Sequence, residues 1–110
     1  MKTAYLKTKV AGVNFENRQQ AISYLRNRKG VYFQLIREVN NAYDKNAVRI
    51  IAKTIDKQVY DIGYIPKEVN AIVAKALDEN KTCFVKRYGY TGGYNDHVSH
   101  GVQVEIIYGK

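Results

Sequence analysis

The side chains best suited to chemistry in this chain of 110 residues lie close together in one short stretch. Between positions 37 and 50 the sequence reads REVNNAYDKNAVRI, in which two apolar runs are joined by polar residues. Seven consecutive positions hold three amides, a phenol and a carboxylate: Asn40, Asn41, Asn46, Tyr43 and Asp44. A connection that only turned the chain would more simply use Gly or Pro. We therefore interpret the stretch as a ligand-holding loop, in which Asn40 and Asn46 are expected to serve the local turn.

Patterns for catalysis and metal binding are weak in the rest of the chain. Neither serine lies in a nucleophile-elbow context, and there is no Gly-rich phosphate loop of the Walker type. Cys83 stands alone among strand-like apolar residues, which is typical of a small buried hydrophobe. His97 and His100, beside Asp96, make a poor metal-ligand set without a second cysteine. The sequence therefore predicts a protein that is not an enzyme and has no metal or cofactor.

Positive charge is concentrated near the N-terminus. The formal net charge is +8, and residues 1 to 30 contribute +6 of it, from seven basic side chains and one acid. A basic surface patch attracts polyanions, among which nucleic acid is the most common in a cytoplasm. The alternative is an ordinary solvated surface, and charge alone does not distinguish the two.

Ten tyrosines and no tryptophan form an unusual aromatic set. Tyrosine stacks on nucleobases but also suits half-buried strand faces, so we expect most of the ten to be structural. The expected exceptions are those predicted to lie in loops beside basic or Gly residues: Tyr43, Tyr88, Tyr90 and Tyr94.

Composition favours one small globular domain that covers residues 1–110. Apolar residues make up 45% of the chain, and no run approaches the length of about 20 residues that a membrane span needs. The first residues lack the apolar stretch of a secretory signal. We therefore expect a soluble protein with a cytoplasmic location and no membrane contact.

The periodicity of apolar residues predicts six strands and two helices. The first predicted strand ends at Gly12, and the other five cover 31–37, 47–53, 58–64, 82–90 and 101–108. Asn17 and Gln20 have the form of a capping box for a first helix that stops at Gly30 and carries its arginines outward. Pro66 is expected at the first position of the second helix. The predicted core contains Val48, Ile50, Ile72, Val73, Leu77, Val104 and Ile106.

This pattern indicates a mixed β protein with two helices. A barrel would leave no open strand edges, but the pattern alone does not separate a barrel from a sandwich or a split sheet.

Two signatures in this order, RE-NN-YDKNAV and IGYIP at Ile62–Pro66, resemble the HIRAN family. That family is known as a small module of helicase-like chromatin remodellers and as free-standing bacterial proteins. The resemblance covers residues 9–110 and identifies the chain as a stand-alone, bacterial-type HIRAN domain. It implies a small OB-like six-stranded β-barrel decorated by two helices.

The resemblance also implies a ligand, the 3′ end of single-stranded DNA. On matching positions of this chain, Tyr43 would stack on a terminal base, Asp44 would accept the 3′ hydroxyl proton and Asn41 would brace the pocket. Phe15 corresponds to another base-contacting aromatic, and Lys67 to a phosphate-contacting lysine.

Two further positions complete the implied site, and three positions depart from the family pattern. Tyr88 corresponds loosely to a further stacking aromatic, and Tyr64 stands where an animal member has a histidine. Ala42 replaces the usual proline of the loop, and Asn14 replaces a phosphate-binding arginine. Candidate replacements for that arginine are Arg18, Arg26 and Lys86.

Three functional hypotheses follow. The first is a nucleic-acid-binding module that recognises the free 3′ hydroxyl end of single-stranded DNA. The second is a protein-interaction module that kept the barrel without the DNA ligand. The third is an accessory subunit of a separately encoded helicase or nuclease in DNA repair or replication. Steep salt dependence of DNA binding would separate the first hypothesis from the second.

Overall fold

The computed structural model describes residues 2–15, 17–95 and 97–110. Its elements in chain order are β1 (Thr3–Lys9), α1 (Arg18–Leu25), β2 (Val31–Arg37), β3 (Val48–Thr54), β4 (Val59–Tyr64), α2 (Lys67–Asp78), β5 (Cys83–Gly92) and β6 (His100–Gly109). The six predicted strands and two predicted helices are thus confirmed. Asp96, considered above beside the two histidines, and Glu16, the acid of the N-terminal segment, lie outside the described residues.

The six strands form two antiparallel sheets of three strands each, ordered β1–β6–β5 and β2–β3–β4. Between the sheets, the strand-type pairing that the described residues show is one isolated bridge, Ala11 with Tyr64. Gly12 follows with a φ of +77°, which turns the chain out of the strand direction and ends the pairing. The predicted closed OB-like barrel is therefore not confirmed, and the architecture is two sheets joined at one corner.

The core lies between the two sheets and the helices. Along β6, Val102, Val104 and Ile106 are buried and alternate with more exposed residues, as the predicted period of two requires. Val48 and Ile50 of β3 belong to the same cluster. Leu77 is half-buried against this cluster. Four of these strand residues, Val48, Ile50, Val104 and Ile106, were predicted to be in the core, and all four are there.

Helix α2 buries most of its predicted apolar stripe but turns Ile72 to the edge. Val73 is fully buried, whereas Ile72 keeps 43% of its surface exposed. The buried face also contains Asn70, a polar residue that no hydrophobic pattern would place inside. The prediction that Ile72 belongs to the core is therefore wrong.

The start of α1 also differs from the prediction. Asn17 precedes the helix but makes no side-chain capping hydrogen bond. The Gln19 amide bonds instead to the Val13 and His100 carbonyls and accepts from the His100 amide. Arg18, predicted to point outward, is buried. At α2, Pro66 lies one residue before the helix, which begins at Lys67.

Candidate functional site

Three connections converge on one pocket with a volume of about 380 Å³. They are the segment between β1 and α1, the loop between β2 and β3, and the segment between β4 and α2. The pocket is lined by Ala11, Gly12, Phe15, Arg18, Asn41, Tyr43, Asp44, Ala47, Tyr64, Ile65, Pro66 and Lys67. Each connection thus supplies both backbone and side chains to one concave surface.

Backbone hydrogen bonds hold the three connections together. The Ala11 amide donates to the Tyr64 carbonyl at 2.8 Å, and the Tyr64 amide donates to the Ala11 carbonyl at 2.9 Å. The Ile65 amide donates to the Val48 carbonyl at 2.9 Å. Gly63 makes the first of these junctions possible, because a Cβ at that position would lie 2.2 Å from the Ala11 carbonyl oxygen. The glycine of the IGYIP signature is therefore required where two chain segments meet.

The β2–β3 loop is shaped by its own polar side chains. The Asn41 side-chain oxygen accepts from the Tyr43 and Asp44 amides at 2.8 and 3.0 Å. Its Nδ2 donates to Glu38 Oε1 at 3.1 Å. Asp44 Oδ1 accepts from the Asn46 amide at 2.9 Å. Asn41 therefore braces the loop, and Tyr43 is presented at its tip.

Asp44 is tied to α2 as well as to its own loop. Its Oδ2 accepts from Nδ2 of the buried Asn70 at 2.7 Å. The pKa of Asp44 is held below its usual value, chiefly by the bond from the Asn46 amide, then by the Asn70 bond and the positive charges of Lys67 and Arg37. The side chain is thus an ionised acceptor at neutral pH. The hydrogen bond to Asp44 explains why Asn70, a polar residue, lies on the buried helix face. The sequence analysis did not identify Asn70 as a site residue.

Two aromatic rings stand exposed at the pocket. Tyr43 is 93% exposed and Phe15 is 68% exposed. Neither ring stacks on another ring among the described residues. Exposed rings beside a pocket lose apolar hydration when a flat ligand covers them, so the pair is suited to stacking on a base.

Tyr64 also lines the pocket, and its hydroxyl is held by a hydrogen bond. Its hydroxyl donates to Glu38 Oε1 at 2.8 Å, and Glu38 Oε2 lies 3.3 Å from Arg49 Nε. Burial, followed by the contact with Glu38, raises the pKa of Tyr64. The phenol is therefore neutral and fixed in one orientation.

Arg18 brings a buried positive charge into the pocket. The residue is 8% exposed, and its Nη1 donates to the Gly12 carbonyl at 2.8 Å. The guanidinium lies 5.6 Å from the centre of the Tyr64 ring. Its Nε is buried without a hydrogen-bond partner, and no carboxylate of the described residues forms an ion pair with it. A buried, unpaired arginine favours an anionic ligand.

Of the three candidate replacements for the missing arginine, the pocket contains Arg18. Arg26 donates to the Gly92 carbonyl and contacts the His100 ring, away from the pocket. Lys86 lies over the Tyr5 ring. The sequence names Arg18 as a candidate but carries no signal that its side chain turns inward.

Six of the seven predicted site residues line this pocket, and Tyr88 does not. Its ring stacks on Phe33 of the other sheet, with centroids 4.1 Å apart, and its hydroxyl donates to the Val31 carbonyl at 2.8 Å. Tyr90, next to it, makes an edge contact with the Tyr88 ring, and burial raises its pKa to about 12. The two tyrosines lie in strand β5, within the predicted strand 82–90 and not in a binding loop, so they connect the sheets.

Two observations concern metal binding and thiol chemistry. No group of three His, Cys, Asp or Glu side chains is placed there to hold a metal ion. Burial raises the pKa of the Cys83 thiol to about 11, which disfavours the nucleophilic thiolate. None of the helices in the described part of the chain is long and apolar enough to span a membrane.

Comparison with known proteins agrees with this fold. A crystal structure of a protein from Lactobacillus plantarum is similar, with a TM-score of 0.54, 20% sequence identity, and coverage of 94% of this chain and 98% of that one. At this identity the likeness concerns the fold alone. No curated protein matches the chain.

Comparison with protein families is more specific. The HIRAN domain matches residues 4–106, nearly the whole chain. HIRAN is known as a DNA-binding module that is not catalytic by itself, which fits a nucleic-acid-binding role for this chain. The match over almost every residue, together with the two signatures at the pocket, shows that this chain belongs to the HIRAN domain family.

Proposed function

We propose that this protein is a non-enzymatic module that binds single-stranded DNA and holds a free 3′ hydroxyl end in the pocket. The observation that carries the proposal is the presence of three ligand-binding groups on one surface. These groups are exposed aromatic rings, an ionised carboxylate and a buried arginine that has no carboxylate partner among the described residues. A DNA 3′ end offers the matching groups, which are a base, a hydroxyl and a phosphate.

Stacking would supply much of the binding energy. Tyr43 and Phe15 have exposed faces, and each stacked base contributes about 1 to 3 kcal/mol in single-strand binding proteins. Stacking tolerates any base, so we expect weak sequence preference. Asn41 takes part indirectly, because its bonds to the loop amides fix where Tyr43 stands.

Asp44 would recognise the end itself. Its two hydrogen bonds use two of the roughly four acceptor positions of a carboxylate, so acceptor capacity remains for a hydroxyl. Within a strand the 3′ oxygen is esterified and has no proton to donate. A carboxylate beside a polyanion is therefore compensated only at a hydroxyl end.

Arg18 and Lys67 would contact the phosphates. Arg18 is buried and forms no ion pair with a carboxylate in the described part of the chain, and Lys67 is exposed at the first turn of α2. Tyr64 helps to place the arginine, since the guanidinium lies over its ring. In this proposal Arg18 contacts the phosphate that a family member binds with the arginine at the position of Asn14.

The wider role belongs to the same proposal. A module that holds 3′ ends without cutting them would act inside the cell, beside a separately encoded helicase or nuclease in DNA repair or replication. The alternative, a protein-interaction module on the same fold, requires no phosphate contacts and so no steep salt dependence.

Fluorescence titration across salt concentrations tests this proposal. The ligand is a 3′-hydroxyl oligonucleotide of about 4 nucleotides, the lower end of single-strand site sizes. Arg18→Gln should reduce the slope of log affinity against log salt by about 0.7, the value for one phosphate contact on a single strand.

The matched control for this titration is Arg26→Gln. Arg26 also donates to a backbone carbonyl but lies outside the pocket, so its replacement should leave the slope unchanged. A parent protein whose binding does not depend on salt would support the protein-interaction alternative. Equal slopes in the parent and a folded Arg18→Gln variant would remove this arginine from the phosphate path.

A further inference from the structure

A second concave surface lies on the outer face of the β1–β6–β5 sheet, apart from the pocket. It is a groove of about 380 Å³ whose lining includes Lys7, Lys9 and Arg87. The strand register places Lys7 opposite Glu105, and Glu105 opposite Arg87. One row further along, Lys9 is opposite Gln103, and Gln103 is opposite Gly89. We call this surface the outer groove.

The cations of the outer groove have no partners among the described residues. No ion pair there involves Lys7, Lys9 or Arg87, whereas Arg28, Arg37 and Arg49 each pair with at least one carboxylate. The single acidic side chain that lines the groove is Glu105. Strands hold the three cations at fixed positions, and Glu105 offsets only one of the three charges, so the lining carries a net formal charge of +2.

Aromatic side chains continue this surface. In the row next to Lys7 and Arg87, Tyr5 and Phe84 flank Ile107, with 60% and 47% of their surfaces exposed. Lys86 Nζ lies 5.3 Å from the centre of the Tyr5 ring and adds a fourth cation. One sheet face thus carries a row with two exposed rings next to the rows that hold the cations.

Gly89 keeps the groove open. A Cβ at this position would have no heavy atom within 4 Å, so a side chain would fit there without strain and would project into open space. With glycine, a ligand can approach the backbone of β5 between Lys9 and Arg87.

We propose that the outer groove is a second nucleic-acid contact, which binds a single strand along its length and needs no end. Residues two apart on a strand are about 6.6 Å apart, and neighbouring strands about 4.8 Å apart, so the cations repeat at short, regular intervals like the phosphates of a backbone. The exposed Tyr5 and Phe84 rings favour unpaired bases over a duplex, whose bases are already stacked. This surface goes beyond end recognition and would act even on a strand whose end is occupied elsewhere.

The two surfaces are neighbours along the chain. Lys9 lines the outer groove, and Ala11, two residues later, lines the pocket. One strand of DNA can therefore contact both surfaces if it follows β1.

A circular single strand tests the outer groove alone, because it has no 3′ end for the pocket. The parent protein should bind it with an affinity that falls steeply with salt. The triple variant Lys7→Ala, Lys9→Ala, Arg87→Ala should lower the salt slope by about 2 units, from about 0.7 for each of three contacts. The control triple Lys29→Ala, Lys53→Ala, Lys75→Ala removes the same charge away from the groove and should keep the parent slope.

Different results identify which account fails. Equal losses of slope in the two triple variants would show a net-charge effect and overturn the outer groove. Groove-dependent binding to vesicles rich in phosphatidylserine, without binding of the circular strand, would assign the surface to membranes and also overturn it. Tyr43→Ala should leave binding of the circular strand intact. If this variant lost binding of the circular strand, the pocket and the outer groove would be one shared site, and the proposal would fail. Failure of end recognition would be seen separately, because the affinity of the protein for short linear oligonucleotides would then not depend on their 3′ group.

Discussion

Asp44 combines two roles that sequence alone cannot separate. Its bonds from the Asn46 amide and from Asn70 stabilise the loop and connect it to α2. The same bonds lower its pKa and so keep it ionised. Because its folded pKa is depressed, the stability that Asp44 contributes is present above the usual carboxyl pKa and is lost as pH falls through the lowered value. At neutral pH both the loop and the acceptor are intact.

The charge state of Asp44 predicts how end preference depends on pH. Between about pH 5 and pH 8 the carboxylate stays ionised, so affinity for a 3′-hydroxyl strand should not follow this group's titration. A 3′-phosphate gains its second charge with a pKa of about 6, so repulsion from Asp44 should increase through that value. Titrations at several pH values with the two oligonucleotides measure this. A hydroxyl-to-phosphate preference that stays flat through pH 6 would contradict it.

At the scale of elements, α2 shows what periodicity can and cannot predict. The spacing of its apolar residues correctly predicts a helix, but not which side of the apolar stripe faces inward. Asn70 lies on the buried face because it bonds to Asp44, a partner distant in sequence. This turns the helix so that Val73 is buried and Ile72 is at the edge. A long-range polar contact therefore decides the rotation, and a hydrophobic pattern does not contain it.

Substitutions on α2 test this rotation. Val73→Asp would bury an unpaired charge and should unfold the domain. Ile72→Asp, at a partly exposed position, should lower the free energy of unfolding by about 1 kcal/mol or less. Urea unfolding of both variants measures the difference. Comparable destabilisation by the two would contradict the helix orientation.

Gly63 tests the junction that brings the pocket segments together. Gly63→Ala would place a Cβ against the Ala11 carbonyl at a φ of +152° and should cost about 1 to 3 kcal/mol of unfolding free energy. Gly89→Ala on β5 is the control, because its Cβ meets nothing within 4 Å. Urea unfolding should show the loss in the first variant and little change in the second. A stable Gly63→Ala variant would mean that the bridge between Ala11 and Tyr64 is not essential.

At the scale of the whole molecule, the positive charge is divided among several surfaces. A single basic patch was one of the two interpretations of the basic excess of residues 1 to 30, but the basic side chains of this segment lie on separate surfaces. Lys7 and Lys9 line the outer groove, Arg18 lines the pocket, and Arg28 pairs with Asp56. Sequence predicts the amount of charge and the strands that carry it. It does not predict the surfaces, because strand register and the inward turn of Arg18 depend on contacts distant in the chain.

The prediction of the fold has the same limit. Local periodicity gives the six strands and two helices, and the two signatures contain the pocket residues between Asn41 and Pro66. Phe15 and Lys67 lie outside the signatures and follow from the family resemblance. Whether six strands close into a barrel depends on hydrogen bonds between non-neighbouring strands, here one bridge. Tyr88 is placed between the sheets by packing on Phe33, which no local pattern contains.

Replacement of Lys67 tests the electrostatic part of DNA binding. Lys67→Ala should reduce the salt slope for a 3′-hydroxyl oligonucleotide by about 0.7 to 1 unit, because one phosphate contact is lost. Lys75→Ala, further along α2 and outside the pocket, should leave the slope unchanged. Equal slopes in the parent and Lys67→Ala would remove this lysine from the phosphate path.

Tyr43→Ala should weaken binding equally at every salt concentration, whereas Tyr32→Ala, an exposed ring outside the pocket, should not weaken it.

The most direct measurement compares three ends on the parent protein and on Asp44→Asn. The oligonucleotides carry a 3′ hydroxyl, a 3′ phosphate, or no end because the strand is circular. The parent should prefer the hydroxyl by about tenfold, which corresponds to about 1.4 kcal/mol. Asp44→Asn, with its melting temperature checked because Asp44 also supports the loop, should narrow the preference of hydroxyl over phosphate. Equal binding of all three strands by the folded parent would contradict recognition of the 3′ end.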